Sequence, residues 1–356
     1  MAKGIMYVDN IRVEFDDEPT IMDVCRKAGV EMPNFCFHSD LSVYGACRMC
    51  MVEDLDTGKI DAACTTKPKN GMRIRTNTSR LLKYRRMILE LMLASHCRDC
   101  TACEKNRSCR LQEMAVRFGI HHVHFKDTRE HVPMDFSSPA VTFDLNKCIL
   151  CGDCVRVCKE VQGMSILHFA GRGPGLHIEA GDDQPISTTH CVSCGQCAAV
   201  CTTGAITVKN DIGAAWRALH DPQKRVVIQI APAVRVAIGE AYGLPAGENV
   251  LDKLVTALKI MGADEIYDTI FGADLTVREE SKEFLRRLET GENLPLMTSC
   301  CPSWVRYVEQ ERPQFIKNLS SALSPMQMFA TVLKDKYREK VAADGRTTFH
   351  LSLIHI

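Results

Sequence analysis

Residues 4–15 (GIMYVDNIRVEF) alternate apolar and polar side chains around Asp9-Asn10, which predicts a short hairpin turning at that pair. Ile21, Val24, Cys25 and Ala28 then recur at helical spacing and stop near Gly29. Cys25 lies on the apolar face of that helix and reads as a core residue. A loop bearing Cys36, Cys47 and Cys50 leads to a second predicted hairpin around Asp56-Thr57-Gly58, followed by Cys64. Residues 79–95 read as one helix with Ser79 at its N-cap, opening into a cysteine- and histidine-bearing loop at 96–109. A polar connector at 126–140 follows.

From about residue 222 the pattern changes. RVVIQIAP reads as an apolar strand, VLDKLVTALKIMG as a helix, DEIYDTI as a strand and TVREESKEFLRRLETG as a helix. PLMTSCCPSW is expected to end a short strand, with SWVRYVEQERP continuing as a helix. Strands alternating with helices predict an α/β domain with a largely parallel sheet.

Length and composition sharpen this division. A chain of 356 residues should form two or more domains. Lysine plus arginine (44) balances aspartate plus glutamate (44), so no long-range field favours nucleic acid or an anionic membrane. No apolar run is long enough to span a bilayer, and the first residues lack a signal-peptide hydrophobic region, so a cytoplasmic protein is expected. Nineteen cysteines is an odd count, and a reducing compartment points such cysteines to metal or catalysis. All but Cys25, Cys300 and Cys301 fall between Cys36 and Cys201.

The strongest signal is an internal repeat, CILCGDCVRVC at 148–158 and CVSCGQCAAVC at 191–201, 43 residues apart. Each copy has the C-x2-C-x2-C-x3-C form that holds 4Fe–4S clusters, the fourth cysteine serving the other cluster. Cys148, Cys151, Cys154 and Cys201 are expected to bind one cluster, and Cys158, Cys191, Cys194 and Cys197 the second. Structural zinc, which prefers two pairs of ligands, fits this spacing poorly. Lys159 and Thr202 stand where proline usually follows, which should loosen the turn without removing a ligand. Cys36, Cys47, Cys50 and Cys64 form C-x10-C-x2-C-x13-C, a variant of the plant-type 2Fe–2S pattern, with zinc as the alternative. His96, Cys100, Cys103 and Cys109 form H-x3-C-x2-C-x5-C, suited to a histidine-ligated 4Fe–4S cluster. The alternative is a helix-ending histidine beside a three-cysteine site completed by Cys97. His121, His122 and His124 read as solvated loop residues.

In this order the modules resemble the front of the iron-only (FeFe) hydrogenases, and also the start of the large subunit of respiratory NADH dehydrogenases and of some formate dehydrogenases. TSCCPSW at 298–304 resembles the first hydrogenase signature motif; APAVR at 231–235 and ADLTVREESKEF at 273–284 resemble segments near its active site. The resemblance implies a β-grasp 2Fe–2S ferredoxin domain (1–78), a 4Fe–4S domain with one histidine and three cysteine ligands (79–125), a two-4Fe–4S ferredoxin domain (138–210) and the first part of an α/β hydrogenase catalytic domain (220–356). It implies that Cys301 ligates the catalytic 4Fe–4S subcluster and that Cys300 passes protons to the attached di-iron unit. Glu280, Glu283 and Ser320 match its proton route, and Ala231 and Pro232 the wall beside the di-iron ligands. Taken alone, the two glutamates would read as a solvated helix face.

The implied function is interconversion of hydrogen with protons and electrons. Electrons would pass through the accessory clusters to a soluble carrier, either ferredoxin or an NAD(P)-reducing flavoprotein subunit. A non-hydrogenase electron-transfer subunit would account for every accessory cluster but not for TSCCPSW; a hydrogenase-like sensor would keep the motifs. The family's two later motifs supply three further cysteines, and no cysteine follows Cys301. TTFHLSL at 347–353 resembles the strand before the second motif, with Ile354-His355-Ile356 where Met-Pro-Cys is expected. The natural protein is therefore expected to be longer. The chain as written should bind its accessory clusters but lack hydrogenase activity.

Overall fold

The computed structural model describes residues 4–127, 129, 131–182 and 184–353, so Ile354, His355 and Ile356 lie outside the described residues. The chain divides into two compact units, Met1–Lys209 and Asn210–Ile356.

The first unit opens with β1 (Gly4–Val8) and β2 (Ile11–Phe15), paired antiparallel around Asp9 and Asn10. Both turn residues have positive φ, a conformation that aspartate and asparagine tolerate and that matches strand twist. Helix α1 (Ile21–Lys27) follows with Thr20 as its N-cap. The five-stranded sheet is completed by β3 (Met51–Asp54), β4 (Ile60–Ala62) and β5 (Arg73–Arg75), in the order β2-β1-β5-β3-β4. Met6, Val8, Phe15, Ile21, Val24 and Cys25 pack into one core beneath it. The expectation for Cys25 therefore holds: it is fully buried, and burial pushes its thiol up to about 12.

Helix α2 (Ser79–Ala94) begins one residue earlier than expected, with Thr78 rather than Ser79 as its cap. The Thr78 hydroxyl accepts from the Leu81 N–H at 3.2 Å and donates to Glu53 at 2.8 Å, so the cap is also tied to β3. Helix α3 (Arg110–Arg117) follows the cysteine–histidine loop. Two small antiparallel ribbons then frame the repeat: β6 (Val141–Phe143) with β9 (Ile206–Val208), and β7 (Leu167–Ala170) with β8 (His177–Ala180). Between them stand two short helices, α4 (Asp153–Arg156) and α5 (Gln196–Val200), at matching positions in the two copies.

The second unit contains α6 (Ile212–Leu219), β10 (Lys224–Ile230), α7 (Pro232–Ala237), α8 (Leu251–Ile260), β11 (Glu265–Asp268) and α9 (Ile270–Thr290). It continues with α10 (Pro302–Glu311), α11 (Pro325–Asp344) and β12 (Thr347–Leu353). The sheet order is β11-β10-β12, parallel throughout, as the alternation of elements predicted. Val226, Ile228 and Ile230 pack against α8, while Val227 on the opposite face meets Phe329, Leu333 and Tyr337 of α11. The strand expected at PLMTSCC is reduced to a single parallel bridge between Met297 and Leu319. Pro295 has no N–H to give a ladder, and Pro302 commits the chain to a helix immediately afterwards.

Candidate iron–sulfur and catalytic sites

The sequence-predicted ligands Cys36, Cys47, Cys50 and Cys64 are all buried. The Phe35 N–H donates to Cys47 Sγ and the Cys47 N–H to Cys36 Sγ, each at 3.4 Å. Cys47 and Cys50 are each lowered to about 7, first by the thiols of Cys36 and Cys64 respectively. The four sulfurs thus face one another as two buried pairs, a donor set that fits a four-thiolate 2Fe–2S site. The loop is held by Arg85, which is 3% exposed. It donates to the Met49 and Met51 carbonyls at 3.0 and 2.7 Å, on either side of Cys50, and burial lowers it to about 10.

The two repeat copies share their backbone conformation as well as their spacing. Leu150 and Ser193 have φ of 57° and 58°, and Gly152 and Gly195 have φ of 77° and 75°. Left-handed residues at these places wrap each loop so that successive thiols point inward. Backbone N–H groups reach four of the sulfurs: Leu150 to Cys148, Ser193 to Cys191, Ile166 to Cys158 and Ile206 to Cys201, at 3.3–3.4 Å. One cavity is walled by Cys148, Cys151, Cys154 and Cys201 together with Ile149, Ile178 and Ile206, which is the first expected ligand set in an apolar cup. Burial pushes the Cys148, Cys151, Cys154 and Cys197 thiols up, Cys151 and Cys197 to about 12. Thiolates in such a cup need a compensating positive charge, which iron supplies. Lys159 does more than loosen the turn: the helix widens into a π turn over Val157–Val161, a path that proline could not follow.

Between Cys154 and Cys158 of the first copy stands Arg156, 7% exposed. Its guanidinium pairs with Asp153 at 2.5 Å and donates to the Cys36 carbonyl at 2.8 Å and to the Ser42 carbonyl. Glu160 accepts from the Ser42 N–H at 2.8 Å. The predicted 2Fe–2S loop and the first 4Fe–4S loop are therefore joined through one buried cation.

His96 is 8% exposed. Its Nδ1 accepts from the Arg98 N–H at 3.2 Å, whereas Nε2 is buried with no hydrogen-bond partner. A buried orphan nitrogen is costly, and with Nδ1 accepting the neutral ring carries its hydrogen on Nε2; ligation through Nε2 requires Nδ1 to take that hydrogen and give up the Arg98 contact. Burial lowers its pKa, which keeps the ring neutral as ligation requires. Cys100 is exposed, and Cys97, Cys103 and Cys109 are half-buried. His121, His122 and His124 are exposed, and His124 meets Glu90 at 2.8 Å.

In the second unit Cys300 and Cys301 are both exposed, Cys301 at the N-cap of α10 with Pro302 in its first turn. Ala231 and Pro232 repeat this arrangement at the end of β10, as N-cap and first-turn residue of α7. Glu283 is 8% exposed rather than solvated. It accepts from Ser320 Oγ at 3.2 Å, from the Ser321 N–H and Oγ at 3.0 Å each, and from Arg287 at 2.5 Å. Burial pushes its carboxyl up, but the Ser321 N–H and the Arg287 guanidinium outweigh this and hold it below the usual carboxylate range. Glu280 lies one turn earlier on α9 and is half-buried.

Arg287 also donates to the carbonyls of Asn293, Asn318 and Leu319 at 2.9, 3.1 and 2.8 Å. The Ser320 N–H donates to the Met297 carbonyl at 2.7 Å, and Ser299 Oγ to the Ala322 carbonyl at 2.9 Å, so the serine segment lies against TSCC. Sequence reasoning found Glu283 and Ser320 but missed Arg287 and Ser321. The i,i+4 glutamate–arginine spacing on α9 was the available signal.

Buried cysteine loops on a mixed α/β scaffold define a multi-cluster iron–sulfur protein. Residues 224–354 match the family described as iron only hydrogenase large subunit, C-terminal domain. Residues 5–79 match a 2Fe-2S iron-sulfur cluster binding domain, 85–124 the NADH-ubiquinone oxidoreductase-G iron-sulfur binding region, and 140–202 a 4Fe-4S dicluster domain. The chain is 36% identical to the NADP-reducing hydrogenase subunit HndD of Solidesulfovibrio fructosivorans, over 95% of this chain and 60% of that protein. It is 32% identical to iron hydrogenase 1 of Clostridium pasteurianum, over 98% of this chain and 61% of that protein. A chain in the crystal structure of an NAD+-reducing [NiFe]-hydrogenase aligns with TM-score 0.55 and 30% identity, covering 58% of this chain and 88% of that one. Residues 224–354 thus carry the C-terminal domain of an iron-only hydrogenase large subunit, in a chain similar along nearly its whole length to two hydrogenase proteins. The chain spans about 60% of the length of the curated relatives it matches.

Proposed function

We propose that this chain forms part of a hydrogenase that interconverts hydrogen with protons and electrons. The observation that carries the reading is the buried carboxylate–hydroxyl cluster of Glu283, Ser320 and Ser321, packed against TSCCPSW in a unit that matches the hydrogenase domain. Ser320 can both accept and donate a proton, and Arg287 fixes the carboxylate that receives it. Cys300 is the group that hands the proton on, with Glu280 one turn outward from Glu283. Cys301 serves as a cluster ligand, and Ala231 and Pro232 line the site. The catalytic di-iron/4Fe–4S cluster supplies the bond chemistry.

Within this reading the first unit comprises a β-grasp 2Fe–2S domain at 1–78, a domain with one histidine and three cysteine ligands at 79–125 and a two-4Fe–4S domain at 138–210; the catalytic domain starts near 220. One 2Fe–2S and three 4Fe–4S clusters relay electrons, with His96 ligating one of them. The relatives' names favour an NAD(P)-linked partner subunit as the electron carrier, with ferredoxin as the alternative. Among the described residues no helix is long and apolar enough to cross a membrane.

A second reading is an electron-transfer subunit of NADH dehydrogenase type, favoured by the match at residues 85–124. Hydrogen-dependent viologen reduction by protein purified from its own source separates the two. It should vanish in Cys300→Ala with all four accessory cluster signals intact by electron paramagnetic resonance. Unchanged turnover in that variant, or absence of the accessory signals from the parent, overturns the proposal.

A further inference from the structure

The β7–β8 hairpin carries a polar cluster that belongs to none of the cysteine sites. His168 and Glu179 stand directly opposite each other across the two strands, and His177 lies two residues before Glu179. Side chains at these positions leave the same face of the ribbon. His168 Nε2 is 3.0 Å from Glu179 Oε1, and His177 Nε2 is 3.2 Å from Oε2. Asp182, just beyond β8, adds a second carboxylate: the donor atoms of His168, Glu179 and Asp182 all lie within 4.8 Å of one another.

The tautomer of His177 is fixed by its neighbour. The Gly175 carbonyl can only accept, so the His177 Nδ1 at 2.8 Å carries the hydrogen. Gly171 keeps that carbonyl in place, because a Cβ there would lie 2.2 Å from the Gly175 oxygen. The His177 Nε2 faces Glu179 Oε2, so the ring steadies the carboxylate that His168 also meets.

We propose that His168, Glu179 and Asp182 bind one divalent transition-metal ion of the zinc class, with His177 holding the Glu179 carboxylate in place. An imidazole with two carboxylates suits such an ion better than magnesium or calcium, which take oxygen ligands. Ligand atoms about 2.0–2.2 Å from a tetrahedral zinc stand about 3.3 Å apart. The His168 Nε2–Glu179 Oε1 spacing of 3.0 Å is close to that value, and the Asp182 carboxylate lies within 4.8 Å of both donors.

The test is calorimetric titration of zinc chloride into the cluster-loaded chain, freed of loose metal by chelation and desalting. One zinc per chain is expected, with affinity falling at least tenfold in His168→Ala, His177→Ala and Glu179→Gln. His121→Ala should match the parent, and iron and sulfide content should be equal in all of them. No zinc uptake by the parent overturns the proposal. Uptake that the three variants leave unchanged also overturns it, since the zinc would then sit on cysteine thiols.

Discussion

Replacing Arg287 by methionine should unfold the second unit before any other part of the chain. The guanidinium is 6% exposed and makes four hydrogen bonds, one to Glu283 and three to the carbonyls of Asn293, Asn318 and Leu319. Methionine fills much of the volume but leaves Glu283 as a buried carboxylate without its cation. Stranding one member of a buried pair costs about 3–5 kcal/mol, a large share of the roughly 5–15 kcal/mol that stabilises a domain. Removing both charges costs less, so Glu283→Gln combined with Arg287→Met should recover about 2 kcal/mol relative to Arg287→Met alone. The assay is built into the sequence. Its only two tryptophans are Trp216 and Trp304, both in the second unit, so urea unfolding followed by tryptophan fluorescence reports that unit alone. A loss under about 1 kcal/mol in Arg287→Met, or a double variant no more stable than the single, would refute the argument that this pair is energetically coupled.

Acid should weaken the same unit partly through Glu283. Its folded value lies below the ordinary 4.5, so its stabilisation is complete above that pH and drains away as pH falls through the folded value. Glu283→Gln should flatten that limb in fluorescence-monitored acid unfolding; an unchanged slope counts against it. Cys25→Ala should leave the 2Fe–2S resonance intact, whereas Cys64→Ala should abolish it; loss of the signal in Cys25→Ala would mean the ligand set is misassigned. Gly152→Ala places a Cβ at 3.0 Å from Phe169 and 3.2 Å from Tyr44 on a backbone with φ of 77°. It should cost about 1–2 kcal/mol and lower iron content by up to one 4Fe–4S cluster, measured by iron and sulfide assay.

Much of this molecule was legible because its signals are local. The Asp9-Asn10 turn, the duplicated loops and the alternation of strands with helices after residue 222 each declare themselves within a dozen positions. The N-cap of α2 was misplaced by one residue because Thr78 and Ser79 are both good caps, and contact with Glu53 decides between them. The strand expected before Cys300 failed because Pro295 and Pro302 bracket the segment closely. What stayed hidden were cations that act across the fold. Arg85 sits at i+4 from Leu81 and i−4 from Leu89, on an apolar face where an arginine looks misplaced until its carbonyl partners appear. Glu283 likewise reads as solvent-facing until a serine pair 37 residues away closes over it.

Arg156 changes how the first unit should be regarded as engineering material. Ferredoxin modules invite exchange, as though each were a bead on a string. Here a guanidinium from one cysteine loop reaches the Cys36 carbonyl in another, and Glu160 grips the same stretch at Ser42. A chimera that imports residues 1–78 from elsewhere would bring a foreign surface to a buried, charged socket. Such grafts should be judged by whether they carry a matching loop from Cys36 to Ser42, and cuts made between the cysteine motifs by sequence convenience alone should yield clusters that assemble yet do not communicate.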